Sequence, residues 1–387
     1  MHRRNALRAA VALLIADWPI ASSAQPPARP VEEAGLLVGF DSGGTLWLAM
    51  HNDSVTPAWH APFLVVPRRD GYWQIGSTAR CSLDIDSAHG GGGIGFTFAF
   101  REYWQDLGIS RAGEASTVTL GGSDDCAAAE ARIREVRAKQ FQDALKEAKG
   151  DTSIVRPPPP GNDDIGLDCV QQTSTVTFAS ERAIAIESRY SQTEACAPGG
   201  YTTSLDNLVR GFASTTPISL YSVVSRRELA SAPATSEGGC RFSDGDSTPN
   251  WLPRRSNGRW IVTTWSDGPN VCRGGEGAEY DFTLPQSFTG EPPLPIAWAA
   301  LRRMYPSLRD ASAAPSRAFI ALVVADTIIV RRIERDRLGR EIGRAQCPAA
   351  GTTPVMYRWA TSLESAKWSR DLPRLAPPRM RIVVRPQ

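Results

Sequence analysis

Apolar and polar positions alternate along much of this chain, and the alternation changes period in only a few places. Trp73 and Ile75 fall on one face of a two-residue period, as do Trp260 and Val262, the pattern of half-buried strands. "STVTFAS", "RAIAIESRY" and "ISLYSVV" read the same way, as does "FTFAF" from Phe96. "AFIALVVADTIIVRRIE" is nearly all apolar at its centre. It predicts two buried strands, Ala318–Val324 and Thr327–Ile333, reversing at Ala325-Asp326. The period lengthens over residues 124–149. There Ile133, Val136, Phe141, Ala144, Leu145 and Ala148 recur at helical spacing, with Arg and Lys opposite, so an amphipathic helix is expected, capped by Ser123. "PIAWAALRRMY" reads as a short helix and "PVMYRWATSLESAKWS" as a closing one.

One phrase occurs twice. "VPRRDGYWQIG" begins at Val66 and "LPRRSNGRWIV" at Leu252. Asp70-Gly71 in the first, and Ser256-Asn257-Gly258 in the second, are hairpin signals, because tight β-turns need residues that tolerate positive φ. The likeness extends outward. Each copy is preceded by a Trp, Trp59 or Trp251, and followed by a Cys, Cys81 or Cys272. A Gly-rich turn and a further strand come next. An internal duplication is expected, with an indole buried in each half. The fold class expected is α+β with predominantly antiparallel strands: two related lobes, residues 35–228 and 237–372, each a hairpin-rich sheet with a packed helix. A closed propeller-like assembly is the alternative, but its period of roughly 40–50 residues is not visible. "RPPPPGNDD" supplies a stiff connector over 156–164, and 373–387 reads as a basic tail or edge strand.

The first 24 residues change the picture of where the protein acts. Arg3, Arg4 and Arg8 precede the apolar run "AAVALLIA", and Ser22 and Ala24 stand where a signal peptidase reads. This is the secretory pattern, too short to span a bilayer. A periplasmic or extracellular location is expected, with no transmembrane segment in the mature chain. The whole chain has 43 basic and 41 acidic residues. Removing a leader with three Arg and one Asp would leave 40 of each. A near-neutral protein is a poor partner for nucleic acid.

Seven cysteines in an oxidising compartment predict disulfides. The loop lengths favour Cys240–Cys272 and Cys169–Cys196, with Cys81–Cys126 third and Cys347 left over. No spacing fits a zinc site.

Candidate chemistry is sparse. Residues 90–95 satisfy G-x-G-x-x-G in form, but a strand follows where a dinucleotide site needs a helix. Neither G-x-S-x-G nor H-E-x-x-H occurs. His51, Asp53 and His60 could make a small binding site, with His89 the other histidine beyond the leader. Trp104 lies among polar residues and is the candidate surface aromatic. Asp244 and Asp246 alternate in a polar loop, as Ca²⁺ ligands can, although the twelve-residue calcium loop is absent. No other cofactor is expected. Two functional readings remain open. One is an exported, non-catalytic binding or cell-envelope-associated protein, whose partner is a protein, a small molecule or a glycan. The other is a secreted hydrolase whose carboxylate pair meets only in the fold.

Overall fold

A computed structural model describes residues 33–51, 53–86, 98–147, 167–192, 202–231, 250–265 and 278–384. The fold is mainly β, and its sheets are mostly antiparallel. In chain order the first strands are β1 (Glu33–Phe40), β2 (Thr45–His51), β3 (Ser54–Ala61), β4 (Leu64–Arg68), β5 (Gly71–Asp86), β6 (Phe98–Arg111) and β7 (Ala115–Leu120). Helix α1 (Cys126–Glu147) separates them from β8 (Leu167–Ala179), β9 (Ile184–Gln192) and β10 (Thr202–Arg210). A short helix α2 (Arg226–Ser231) precedes β11 (Asn250–Ser256), β12 (Arg259–Trp265) and β13 (Ala278–Thr283). Then come α3 (Gln286–Thr289), α4 (Trp298–Met304), β14 (Leu308–Ala313), β15 (Phe319–Val324), β16 (Thr327–Glu334) and β17 (Arg337–Gln346). The chain closes with β18 (Pro354–Thr361), α5 (Ser362–Asp371) and β19 (Arg379–Val384).

Among the described residues these strands form five sheets: β18-β1-β2-β3, β10-β9-β8-β6-β5-β4, β11-β12-β13, β14-β15-β16-β17 and the pair β19-β7. Burial on both faces explains the most apolar runs. In β1, Leu36, Val38 and Phe40 join one core with Phe319, Ala321 and Val323 of β15, while Leu37 points into another with Trp47, Leu64 and Trp73. A strand covered on both sides has no solvent face to alternate with, so it reads as a continuous hydrophobic stretch. Strand β15 repeats this: Ile320 and Leu322 turn away from Ala321 and pack with Leu301 of α4.

Strand pairing joins the first expected segment, 35–228, both to 237–372 and to the C-terminal stretch 373–387. Strand β18 pairs antiparallel with β1, from Glu33↔Thr361 to Phe40↔Pro354, and β19 pairs parallel with β7. The basic C-terminal segment is thus an edge strand over Arg379–Val384 rather than a free tail.

The repeated phrase forms two hairpins, but not with the expected turns. In the first, Arg68 pairs with Gly71, so Arg69-Asp70 is the turn. The positive φ of 126° falls on Gly71 alone, and Asp70 is not among the left-handed residues. In the second, Ser256 pairs with Arg259, leaving a two-residue turn at Asn257 (φ 52°) and Gly258 (φ 71°), the mirror-image geometry that suits a right-twisted hairpin. Trp73 therefore stands two positions past its closing pair and Trp260 only one past its own. Relative to the turns, alternation sets the two indoles on opposite faces of their ribbons. Both are nonetheless buried, at 7 % and 2 % exposure.

Three local expectations need correction. "ISLYSVV" is not a strand: Leu220–Ser222 is a single 3-10 turn, and the Ser222 hydroxyl bonds the Ser219 carbonyl. Local bonding by serine competes with strand pairing there. "PVMYRWATSLESAKWS" is two elements. Its first half alternates as β18, and Thr361 then starts α5 with a complete capping box to Glu364. The cap of α1 is Asp125, whose carboxylate accepts the Ala127 amide at 2.9 Å, and not Ser123. The earlier expectation for 156–164, and the first two residues of "FTFAF", fall outside the described residues.

Candidate functional site

The sequence candidates do not converge. His51 ends β2 beside the turn and is exposed; His60 lies on β3 opposite Leu46 and is also exposed. Ser54, the partner of His51, and His60 stand six positions apart along β3, about 20 Å at the usual rise. Asp53 sits at φ 62° and spends its carboxylate on Arg332 and Arg340. It therefore ties the β2–β3 turn to the β16–β17 hairpin rather than partnering a histidine. Trp104 is on β6 in a different sheet. It is half-buried, with its ring lying against Gly121 so closely that a Cβ there would collide with it. It is a packing residue more than a displayed one. Asp244, Asp246 and His89 lie outside the described residues. Among the described residues, no group of three or more His, Cys, Asp or Glu is placed to hold a metal ion.

One expected disulfide is present. Cys81 of β5 bonds Cys126 at the start of α1, with Cα atoms 4.9 Å apart. The backbones of Cys81 and Asp124 also exchange hydrogen bonds at 3.0 Å, so the helix N-terminus is fastened twice. Cys196, Cys240 and Cys272 lie outside the described residues, as does the side chain of Cys169. Cys347 is free, and burial with the nearby Asp326 carboxylate pushes its thiol up to about 11, which keeps it a poor nucleophile at neutral pH.

The most concentrated chemistry was not anticipated. Arg255 of β11 projects from the second hairpin to where three sheets meet. Its Nε donates to both oxygens of Asp310 on β14 at 2.9 Å. Its Nη1 donates to Glu291 at 2.9 Å, and Nη2 to the Ala311 carbonyl at 2.6 Å. Tyr357 of β18 donates its hydroxyl to Asp310 at 2.9 Å, and the Trp260 indole donates to Glu291 at 2.7 Å. The guanidinium also lies 4.9 Å from the centroids of both the Trp260 and the Tyr357 rings. Side-chain exposure is 5 % for Arg255, 8 % for Glu291 and 3 % for Asp310. At that depth an unpaired charge would cost several kcal/mol, and only a near-complete set of partners makes the cluster tolerable.

Its electrostatics follow from that balance. Burial works against the charge on Arg255, but Asp310 and Glu291 outweigh it and hold the guanidinium protonated. Burial pushes the Glu291 carboxyl above the ordinary range despite the attraction of Arg255. The Tyr357 hydroxyl is driven well above its usual value by burial and by Asp310. The arrangement fixes the relative positions of β11, β14 and β18 and presents no group to solvent. A signal for it exists in the sequence: Asp310 is followed by the small residues Ala311, Ser312 and Ala313 in β14, a stretch that reads as buried and leaves a lone carboxylate in need of a partner. Glu291, in the loop "TGEPP", carries no such signal.

A looser version surrounds the first indole. Arg68 lies 5.7 Å from the Trp73 centroid and 5.0 Å from that of Phe212, and the Trp73 indole donates to Asp70 at 3.4 Å. Asp70 also accepts from Arg111 at 3.0 Å, which holds its carboxyl below the ordinary range. Nearby, Lys367 and Asp371 of α5 close on the Tyr72 hydroxyl, each at 3.1 Å.

No family model and no curated protein matches this chain. Among solved structures, a member of the DUF3298 family from Bacteroides fragilis is similar at 9% identity, over 56% of this chain and 92% of that one, with a TM-score of 0.23.

Proposed function

We propose that this protein is exported to the periplasm or the cell exterior and acts by binding, or by association with the cell envelope, without catalysing a reaction. The observation that carries this reading is the enclosure of Glu291 and Asp310. They are a pair of buried carboxylates, the residue type a hydrolase would use, and both are engaged by Arg255 at 2.9 Å, with side chains no more than 8 % exposed. Acids held this way build the fold and do not meet a glycosidic or ester bond. Support for export comes from the leader-like segment and from the Cys81–Cys126 bond, which an oxidising compartment favours. No helix among the described residues is long and apolar enough to cross a membrane. The related lobes belong to the same proposal, and rest on the Arg–Trp–carboxylate sets at Trp73 and Trp260.

Fractionation of cells expressing the full chain, with mass spectrometry of its N-terminus, tests the location. The expected product begins at Gln25 in the periplasmic or extracellular fraction; an intact Met1 in the cytosol overturns it. The catalytic alternative is tested on a panel of fluorogenic glycosides and esters. Turnover by the native protein that is abolished in Glu291→Gln would overturn the binding reading.

A further inference from the structure

Strand β19 pairs with β7 along one side, in parallel register from Arg379↔Ala115 to Val384↔Leu120. The two make a sheet of their own, and among the described residues no strand pairs with the other side of β19. Such an edge keeps backbone donors and acceptors that a further strand can take. The inner residues Met380 and Ile382 are half-buried, whereas Arg379 and Arg381 are exposed. At the far end Val383 and Val384 are 43% and 42% exposed. Successive side chains leave a strand on opposite faces, so this end lacks apolar cover on both.

The charge along this edge is one-sided. Residues 374–387 carry four arginines and no acidic residue. Arg374, Arg379 and Arg381 are exposed and form no ion pair among the described residues. Exposed arginines elsewhere do find carboxylates, as Arg340 does with Asp53 and Arg344 with Glu341. Arginine on an open edge guards against accidental pairing, but the guard is selective. A second copy of this strand would bring four more arginines and no acid to the same place. A strand carrying acids would be drawn in instead. Arg379 and Arg381 stand two positions apart and share a face, so acids at alternate positions of a neighbouring strand would meet both.

We infer that the open edge of β19 is a docking strand for an extended acidic segment of another protein, which joins the β19–β7 ribbon as its third strand. Backbone pairing supplies the attachment. Carboxylates opposite Arg379 and Arg381 set the register, and a β-branched residue opposite Val383 covers the apolar end. This deepens the binding reading proposed above and rests on it for there being a partner.

The test uses the ¹⁵N-labelled full chain and a capped peptide, Val-Thr-Glu-Thr-Glu-Thr-Val, whose pattern reads the same in either direction. The β19 amide signals should shift and exchange more slowly on addition of the peptide. The double variant Arg379→Gln/Arg381→Gln should bind it about tenfold more weakly, and each single variant about threefold, the singles serving if the double fails to fold. Two further peptides, methylated on the threonine amides or on the glutamate amides, keep the charge, and one of them should lose binding. Unmoved β19 signals, undiminished binding by the variants, or equal binding of all three peptides would overturn the inference. So would β19 amides already protected in a dimer of the chain alone. Absent peptide binding, capture by phosphatidylglycerol vesicles that the variants lose would assign the arginines to a membrane surface and overturn it as well. The location and turnover tests of the broader reading do not depend on these outcomes.

Discussion

Gly76 stands directly opposite Gly108 across the β5–β6 pair, and the space two Cβ atoms would need is filled by the C-terminal segment. A Cβ on Gly76 would lie 2.7 Å from Pro378, and one on Gly108 2.7 Å from Met380. The paired glycines form a slot that seats the β19–β7 ribbon on the six-stranded sheet. Gly108→Ala should cost about 1–3 kcal/mol, the usual range for overpacking. Loosening of β19 should appear as faster amide exchange along β7 than along β5. Uniform exchange in the variant and the wild type would show that the slot does not hold the strand.

Trp73→Ala and Trp260→Ala should each cost about 3–5 kcal/mol in chemical denaturation. The second should lie at the upper end, since it also removes the indole that bonds Glu291 at 2.7 Å and leaves a buried acceptor short of a partner. A loss below about 1 kcal/mol in either would contradict its place in the core.

Replacing Cys81 and Cys126 together by Ser should lower stability by about 4 kcal/mol on the loop-closure account for a 45-residue separation. Limited proteolysis should then cut first near the start of α1, where the fastening is lost. Equal resistance in the oxidised protein and the double variant would mean that the backbone pair at Asp124 suffices.

Thr361→Ala removes one half of the capping box at the junction of β18 and α5, where the Thr361 hydroxyl accepts the Glu364 amide and the Glu364 carboxylate accepts the Thr361 amide. The expected loss is about 1 kcal/mol, read from the denaturation midpoint at constant slope. Thr361→Ser should restore most of it.

On the acid limb, stability depends on Asp70. Its carboxyl is held low by Arg111, so its stabilisation is complete above about 3.8 and is lost as pH falls through the lower folded value. Its side chain is 35% exposed, so salt should weaken the effect. Asp70→Asn should flatten the acid limb at low ionic strength and leave the profile above neutrality unchanged.

How much of this was legible varied with the physics that set each element. Strands β15 and β16 were readable almost to the residue, because a run buried on both faces and a reversal at Ala325 leave little choice. The burial of Trp73 and Trp260 followed from alternation with Ile75 and Val262. The register of their hairpins did not, because the choice between Asp70-Gly71 and Arg69-Asp70 rests on one φ angle that composition does not reveal. The pairing of β1 with β18 joins residues some three hundred positions apart, and local periodicity has no information about it. The same limit hid the charge cluster. Arg255 sat in the repeated phrase, but Glu291 and Asp310 reach it only through three sheets. His51, His60 and Trp104 were chosen by residue type, and the fold sends each to a different place.

The antiparallel bond between β1 and β18 also bears on the order in which the chain can assemble. Leu36 and Val38 belong to the first described strand, yet the strand that pairs along one edge of it, β18, is made some three hundred residues later. Through most of synthesis and any translocation, β1 must wait with an open edge and with Tyr357 and Trp359 not yet there to pack against. Folding of this region is thus bound to a late event, and a growing or truncated chain that ends before Pro354 exposes a sticky, strand-forming segment that a chaperone would have reason to shield.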